Sequence, residues 1–360
     1  GGVEPVVIER KDGRIWMLIR TQLGRFYESF SKDGVEWTPA HPTNILSSES
    51  PAGLIRLKDE RILLLWNNCL RFPYAYGGRH VLHAAISDDE GRTWRGCREI
   101  LRDRFAENPL PSNHDVGVSY PYPLLTKDGK VLFTLWVDTS RTERALTLLD
   151  PAWLDETVQK DDFSRGLEQW SVFGTKGVKL ATHPEKSGAK VLQIRKTHFD
   201  WPAAAVWNFP AGAKGRLRMR IRIHPGFAGA LLGLTDHFSV PFDMEDRFYN
   251  LFNLEIGPEG QLPGGKWLKP GRWHELQFDW DCDKRECRVS VDGQKAVTLP
   301  LTRLTAAGVN YLRLRSTTER TDNAGMLIEY VEADVSKSWP AWQARVTAPV
   351  RQERRHSTIR

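Results

Sequence analysis

The chain has 360 residues, room for about two domains with a sizeable core each, and carries 29 glycines, 21 prolines and 14 tryptophans with no long helix-forming run, the composition of a turn-rich, all-β protein. No stretch of about 18 apolar residues exists, which excludes a membrane-spanning helix. With 51 basic residues against 45 acidic ones the net charge is +6, a mixed surface that does not imply nucleic acid and is compatible with an acidic ligand.

The chain opens on Gly1-Gly2-Val3-Glu4, with no initiator Met, no basic segment and no apolar signal core. It enters a strand pattern at once, so an N-terminal truncation is expected. Pro5 to Arg20 reads as a short strand, a turn at Lys11-Asp12-Gly13 and a strongly apolar strand, the signature of a β-hairpin. The unit returns from Pro51 to Trp66, turning at Lys58-Asp59-Glu60, and from Pro121 to Trp136, turning at Lys127-Asp128-Gly129. The middle copy has Glu where the others have Gly, and its Pro stands one residue further from the Asp. The turn aspartates are spaced 47 and 69 residues apart. A four-stranded repeat needs about 40–50 residues, so the later unit carries an insertion.

A second pattern lies inside these units. Ser87-Asp88-Asp89-Glu90-Gly91-Arg92-Thr93-Trp94 reads Ser-x-Asp-x-Gly-x-Thr-Trp, and Ser31-Lys32-Asp33-Gly34-Val35-Glu36-Trp37 is a copy one residue shorter, without the Thr. The aspartate can accept N–H groups of its own tight turn, the glycine supplies positive φ, and the tryptophan pins the turn on the sheet. Asp33 and Asp89 are therefore read as structural. The pattern resembles the aspartate box of sialidases and related β-propellers. That resemblance implies that residues 1–150 are a partial sialidase-like β-propeller of about three blades. A closed propeller needs at least about four, and the others are expected before Gly1.

Residues 151–160 break the repeat and read as a linker with one helical turn near Trp153. A new module starts at Asp161-Asp162-Phe163. Its clearest strand, Arg216 to His224, alternates apolar and basic residues, which predicts a sheet with one buried and one solvated face. An anionic glycan docked on the arginines is the other reading. Further strands are expected over Pro270 to Phe278, on both sides of a turn at Asp292-Gly293, and from Met326 to Val335. Strands this regular over residues 161–336 argue for a two-sheet sandwich, and its opening Asp-Asp-Phe phrase resembles concanavalin-A-like or laminin-G-like jelly rolls. Residues 337–360 form a basic tail expected to be disordered. Cys282 and Cys287 flank a hairpin turn and could bridge it after export, while Cys69 and Cys97 read as separate buried thiols; none forms a metal-type pair of pairs. Asp279, Asp281 and Asp283 alternate like a calcium loop, but Lys284 stands where such a loop needs Gly. No metal and no cofactor are expected.

The resemblance also names candidate site residues. Glu4-Pro5-Val6-Val7-Ile8-Glu9, then Asp12-Gly13-Arg14 and a strand ending in Arg20, resembles the sialidase segment that carries the glutamate partner of the nucleophile and one arginine of a carboxylate-binding triad. Glu4 and Arg20 take those positions. Arg79-His80-Val81-Leu82-His83, running into the aspartate box, is similar to the next arginine segment, where Asn and Pro are commoner after the Arg than His and Val. Arg79 takes that place, with Arg71 as the alternative. Ser119-Tyr120-Pro121-Tyr122 resembles the strand start that brings the nucleophilic tyrosine, which is Tyr120, with Tyr122 as second choice. The family's acid/base aspartate and first triad arginine would lie upstream of Glu4.

The set is chemically coherent without the family name. A sugar with a carboxylate on its anomeric carbon repels an acidic nucleophile, whereas a neutral tyrosine can approach it and be activated by a carboxylate taking its proton. Guanidinium groups hold such a sugar bidentately. Each residue also has a plain structural reading: Glu4 as a terminal residue on a solvated strand start, Arg20 as a strand-end residue paired with a surface carboxylate, Arg79 as a solvated residue, Tyr120 as a core aromatic. His114-Asp115 precedes Tyr120 and is placed to line a pocket, but has no companion nucleophile motif. The resemblance implies a secreted or envelope-associated glycoside hydrolase of exo-α-sialidase type, retaining, acting on a terminal acidic sugar of a glycan or glycoconjugate. The alternatives are a non-catalytic carbohydrate-binding propeller and a hydrolase of a different sugar on the same fold.

Overall fold

The computed structural model describes residues 2–70, 78–103, 117–138, 144–172, 174–241 and 244–336. Arg71, the His114-Asp115 pair and the basic tail lie outside them. The described chain is all-β; its only helical turns are of the short 3-10 kind.

Residues 3–149 form three antiparallel sheets, each a run of consecutive strands. The first contains β1 (Val3–Glu9), β2 (Ile15–Arg20), β3 (Arg25–Ser31) and β4 (His41–Leu46), in that order. The second contains β5 (Gly53–Arg56), β6 (Ile62–Trp66), β7 (Val81–Ser87) and β8 (Arg95–Arg102), and the third β9 (Gly117–Leu125), β10 (Val131–Asp138) and β11 (Arg144–Leu149). These are the three blades expected from the repeats, with the hairpin turns where Lys-Asp-Gly and Lys-Asp-Glu stand. Alternation gives each blade two apolar faces. Trp16, Leu18 and Phe26 of the first meet Ile62, Leu64 and Ala85 of the second. Leu63, Leu65, Leu82 and Ile86 on the other face meet Val118, Val131, Phe133 and Leu135 of the third.

Both aspartate boxes join the third and fourth strands of their blades. Asp89 Oδ1 accepts the N–H groups of Arg92 and Thr93 at 3.1 and 2.8 Å, its Oδ2 accepts the Thr93 hydroxyl at 2.7 Å, and Ser87 Oγ accepts the Gly91 N–H at 2.8 Å. Gly91 has φ of +83°, and a Cβ there would come within 2.7 Å of the Trp16 ring. Glycine therefore serves both the turn and the inter-blade contact. Trp94 is buried against Trp16, with ring centroids 6.4 Å apart. In the shortened box Asp33 accepts the Val35 and Glu36 N–H groups, each at 2.9 Å, and these bonds from Glu36 and Val35 hold its carboxyl below the usual range. Trp37 is only half buried and donates to Gly34 of its own turn.

The segment expected to be a linker is a 3-10 turn, Pro151–Asp155, capped by Asp150, followed by a strand, β12 (Val158–Asp161). The second module continues with β13 (Trp170–Ser171), β14 (Val178–Thr182), β15 (Lys190–Ile194), β16 (Ala204–Gly212), β17 (Lys214–Ile223) and β18 (Ala230–Thr235). It is completed by β19 (Phe252–Ile256), β20 (Trp273–Asp281), β21 (Glu286–Val291), β22 (Gln294–Pro300), β23 (Val309–Ser316) and β24 (Met326–Val335). An eight-stranded sheet runs β14-β15-β24-β17-β20-β21-β22 with β12 also on β24, and a five-stranded sheet runs β13-β16-β23-β18-β19. Their facing sides enclose one core that includes Trp207, Phe209, Phe252, Phe278 and Trp280. The arginine row on β17 does face away from that core, but it is ion-paired rather than an open basic surface: Arg216 to Asp279 at 2.7 Å, Arg218 to Glu332 at 3.0 Å, Arg220 to Glu329 at 3.1 Å and Arg222 to Glu185 at 2.6 Å. All four cysteines are buried and free, Cys282 and Cys287 among them.

The two modules share buried polar chemistry. Strand β8 packs on β16, where Glu99 N–H donates to Asn208 Oδ1 at 2.9 Å and Asn310 Nδ2 donates to the Cys97 carbonyl at 2.8 Å. The backbone at Cys69 pairs with Phe238 of the sandwich. His83 Nδ1 accepts the Asn68 N–H at 3.2 Å, so the ring proton sits on Nε2, 2.5 Å from the Tyr311 hydroxyl. That hydroxyl in turn donates to Glu99 at 2.6 Å. Burial, helped by the charge of Arg102, lowers the His83 pKa to about 3, which keeps the ring neutral.

Candidate active site

Glu4 and Tyr120 belong to the innermost strands of the first and third blades, 116 residues apart in sequence, yet the Tyr120 hydroxyl donates to Glu4 Oε1 at 2.9 Å. Each is followed by proline, and each lies where the strand register slips, between Val3 and Val6 on β1 and opposite Thr134 and Trp136 on β9. Both have positive φ, 46° for Glu4 and 60° for Tyr120. Such a conformation costs a non-glycine residue about 1–3 kcal/mol and persists where the surroundings enforce it. A bulge at this point re-aims a side chain out of the pleat, here toward the space where the inner strands meet. Tyr122, two residues on, keeps regular pairing with Thr134 and is 66% exposed.

Arg20 ends β2 and is almost fully buried. Its Nη1 contacts Glu4 Oε2 and lies 3.3 Å from the Tyr120 hydroxyl; its Nη2 lies 3.4 Å from Glu49 Oε1. Burial works against its charge, but the hydrogen bond and charge of Glu4, and then Tyr120, outweigh burial and raise its pKa. Arg79, two residues ahead of β7, is buried with its guanidinium 5.4 Å from the Tyr120 ring centroid, and its Nη2 donates to the Glu49 carbonyl at 2.9 Å. The Arg79 carbonyl accepts the Val118 N–H at 2.9 Å. A Cβ at Gly117, where φ is +139°, would lie 2.4 Å from that oxygen, so only glycine lets β9 approach this closely.

All four residues singled out from sequence, Glu4, Arg20, Arg79 and Tyr120, thus come together. Glu49 joins them unforeseen. Its one signal in the sequence is that it stands just ahead of Pro51, as Glu4 stands just ahead of Pro5, displaced by the extra residue of the middle repeat. The constellation holds two guanidinium groups and two carboxylates around one phenol. It can bind an anion, hold a tyrosine ready to lose its proton, and stabilise positive charge nearby. Among the described residues no cluster of three or more His, Cys, Asp or Glu could hold a metal ion, and no helix is long and apolar enough to cross a membrane. A groove of about 1180 Å³ between β8 and the start of the sandwich shares none of these residues.

No curated protein matches the chain. Among solved structures, one described as a sialidase is 16% identical over 94% of this chain and 33% of its own, with a TM-score of 0.40. The Trypanosoma rangeli sialidase, in complex with 2,3-difluorosialic acid, is 14% identical over 93% of this chain and 60% of its own, with a TM-score of 0.36. A conserved carbohydrate esterase from the Shiga toxin-encoding bacteriophage phi24B is 16% identical over 49% of this chain and 95% of its own, with a TM-score of 0.33. The chain thus spans less than two thirds of the sialidases it is similar to. Residues 1–133 match the family model described as a BNR repeat-like domain. That match covers the first two blades and reaches into the first hairpin of the third, so the blade portion of the chain is similar to a BNR repeat-like domain.

Proposed function

We propose that this chain carries the nucleophile side of a retaining glycosidase site for a terminal acidic sugar of a glycan, of exo-α-sialidase type, and that it works outside the cell or at its envelope. The observation that supports this best is the Tyr120 hydroxyl donating to Glu4 at 2.9 Å beside Arg20. In this reading Arg20 and Arg79 hold the sugar carboxylate. Tyr120 oxygen bonds to the anomeric carbon as Glu4 takes the phenol proton and the leaving group departs with the glycosidic electron pair. Water then attacks the anomeric carbon of the glycosyl-tyrosine, the bond to the Tyr120 oxygen breaks and the phenol recovers its proton from Glu4; the proton shed by the water passes to solvent and balances the departed leaving-group anion, and the anomeric configuration is retained. The propeller portion, residues 1–150, does this chemistry, and residues 161–336, read as a concanavalin-A-like sandwich, support it structurally.

An aryl sialoside with a good leaving group tests the tyrosine directly, since its departure needs little protonation. Tyr120→Phe is expected to lower turnover by about a thousandfold or more; unchanged turnover would exclude the tyrosine mechanism. One observation favours a second reading, a non-catalytic carbohydrate-binding site or one for a different sugar. Arg20 and Arg79 are balanced by Glu4 and Glu49, with both arms of Arg20 on carboxylates, so the site presents little net positive charge. Binding of neutral sugars as tight as that of sialosides, with no turnover of the aryl sialoside, would favour it.

A further inference from the structure

Residues 47–52 run from the outermost strand of the first blade to the innermost strand of the second, and this short loop is pinned on several sides. The Ser47 N–H donates to the Gly24 carbonyl at 3.1 Å, the Ser48 N–H to Asn67 at 3.2 Å and Ser48 Oγ to Gly78 at 2.7 Å. Ser47, Ser48 and Ser50 are buried, and Pro51 fixes its own φ. The loop so held places Glu49 between the two arginines. Its carboxylate lies 3.4 Å from Arg20 Nη2 and accepts from Gln22 Nε2 at 2.9 Å, while its main-chain carbonyl takes the Arg79 hydrogen bond at 2.9 Å. Arg20 is thereby drawn two ways: Nη1 toward Glu4 and Tyr120, Nη2 toward Glu49.

We infer that Glu49 is a positioning residue that holds the arginine pair in the orientation that receives a substrate carboxylate, an inference that rests on the acidic-sugar reading above. A guanidinium beside a lone carboxylate closes on it with two parallel hydrogen bonds. With Glu4 alone as partner, Arg20 Nη2 would follow Nη1 onto Glu4, and the guanidinium plane would turn with it. Glu49 pulls the second arm aside and fixes the guanidinium plane, and its carbonyl sets Arg79 in the same frame. Its effect therefore runs against simple charge counting. Removing a negative group from an anion site should strengthen anion binding by electrostatics alone, whereas removing this one weakens it.

The test uses the 360-residue chain with N-acetylneuraminic acid and its methyl ester as probes, measured by calorimetry, together with melting temperatures. Wild type is expected to prefer the acid over the ester, and Arg20→Ala to lose that preference. Glu49→Ala should weaken acid binding about tenfold, the worth of one charge-assisted hydrogen bond, and leave the ester unchanged. Glu49→Gln, which keeps an acceptor for Arg20 Nη2, should recover binding to within about threefold of wild type. If Glu49→Ala binds the acid as tightly as wild type or tighter while Arg20→Ala loses the preference, the positioning role is overturned and the acidic-sugar reading stands. Equal loss of acid and ester binding with a lowered melting temperature also overturns it, as a merely structural role. A wild-type chain with no preference for the acid overturns both.

Discussion

Two β-rich halves of one chain solve the burial of apolar surface differently. In the sandwich the two sheets turn their apolar sides to each other, and the side chains between them form one closed cluster from Phe163 to Val335. In the blades the buried apolar residues fall mainly into two separate clusters, one in each gap between neighbours, while Cys69 and Val81 pack with Val206, Phe238 and Tyr311 of the sandwich. Every blade has two apolar faces, so three blades in a row bury the middle one on both sides and the outer two on one. Val3 and Val7 on β1, and Tyr122, Leu124, Leu146 and Leu148 on β9 and β11, remain exposed. Two sheets therefore complete a sandwich, whereas a blade depends on its neighbours. The candidate site is built across that dependence, because Glu4 and Tyr120 lie on the inner strands of the two outer blades.

The largest effect expected from this difference lies in the sandwich. Trp207 is fully buried, stacks on Trp170 with centroids 6.1 Å apart and packs against Phe209 at 5.4 Å. Trp207→Ala is expected to cost about 3–5 kcal/mol, the range for emptying a large aromatic site in a closed core. Denaturant unfolding followed by tryptophan emission measures it. A cost near that of a surface change would mean that the core is not closed as described.

The next effect tests whether the two halves unfold as one. His83 of the second blade and Tyr311 of the sandwich meet at a hydrogen bond of 2.5 Å, and Tyr311→Phe, which leaves His83 Nε2 and one Glu99 oxygen without that partner, is expected to cost about 1–3 kcal/mol. The pH dependence has a definite sign. Burial lowers the His83 pKa from 6.5 to about 3, so its contribution is present above the unfolded value and is lost as pH falls from about 6.5 toward 3, because the unfolded chain binds the proton first. The stability lead of wild type over His83→Gln should therefore shrink by about 2 kcal/mol between pH 7 and pH 5. His237 works in the opposite sense. It is buried, which opposes its charge, but Asp246 and Asp236 raise its pKa, so its contribution is present at low pH and fades as pH rises through the raised value. A lead that stays constant from pH 7 to pH 5 would remove His83 from the interface account.

Much of this was legible in the sequence wherever the determining contacts are local. The three hairpins are set by alternation and by turn residues a few positions apart, and the aspartate boxes by a serine, an aspartate and a glycine within one turn. Glu4, Arg20, Arg79 and Tyr120 were recognisable as a set only through resemblance. Nothing in Tyr120-Pro121 announces a φ of 60°, and nothing in Glu49 announces that its two ends hold arginines from different blades. The arginine row of β17 shows the same limit. Its alternation gave the solvated face correctly, but the partners, Asp279, Glu329, Glu332 and Glu185, stand on segments distant in sequence, so the face read as basic when it is paired. Strand β12 falls in a segment that reads as a linker because four residues carry no periodicity; its place comes from pairing with β24.

The smallest effect, at Leu146, gives the most direct test of the comparison, because it sets one residue type against itself. Leu65 on β6 is fully buried between the second and third blades, while Leu146 on β11 is 68% exposed on the outer face of the third. Leu65→Ala is expected to cost about 2–5 kcal/mol, since transfer free energy and an unfilled cavity add. Leu146→Ala in the same 360-residue chain removes the same atoms from a face that meets water, and should change stability by no more than about 0.5 kcal/mol. Contiguous exposed leucines are a surface on which other apolar groups settle, so replacing Leu124, Leu146 and Leu148 together by serine should also lower binding of a hydrophobic dye without lowering the melting temperature. A cost at Leu146 comparable to that at Leu65 would show that the outer face is already covered in solution, and the contrast between a closed sandwich and open blades would then fail.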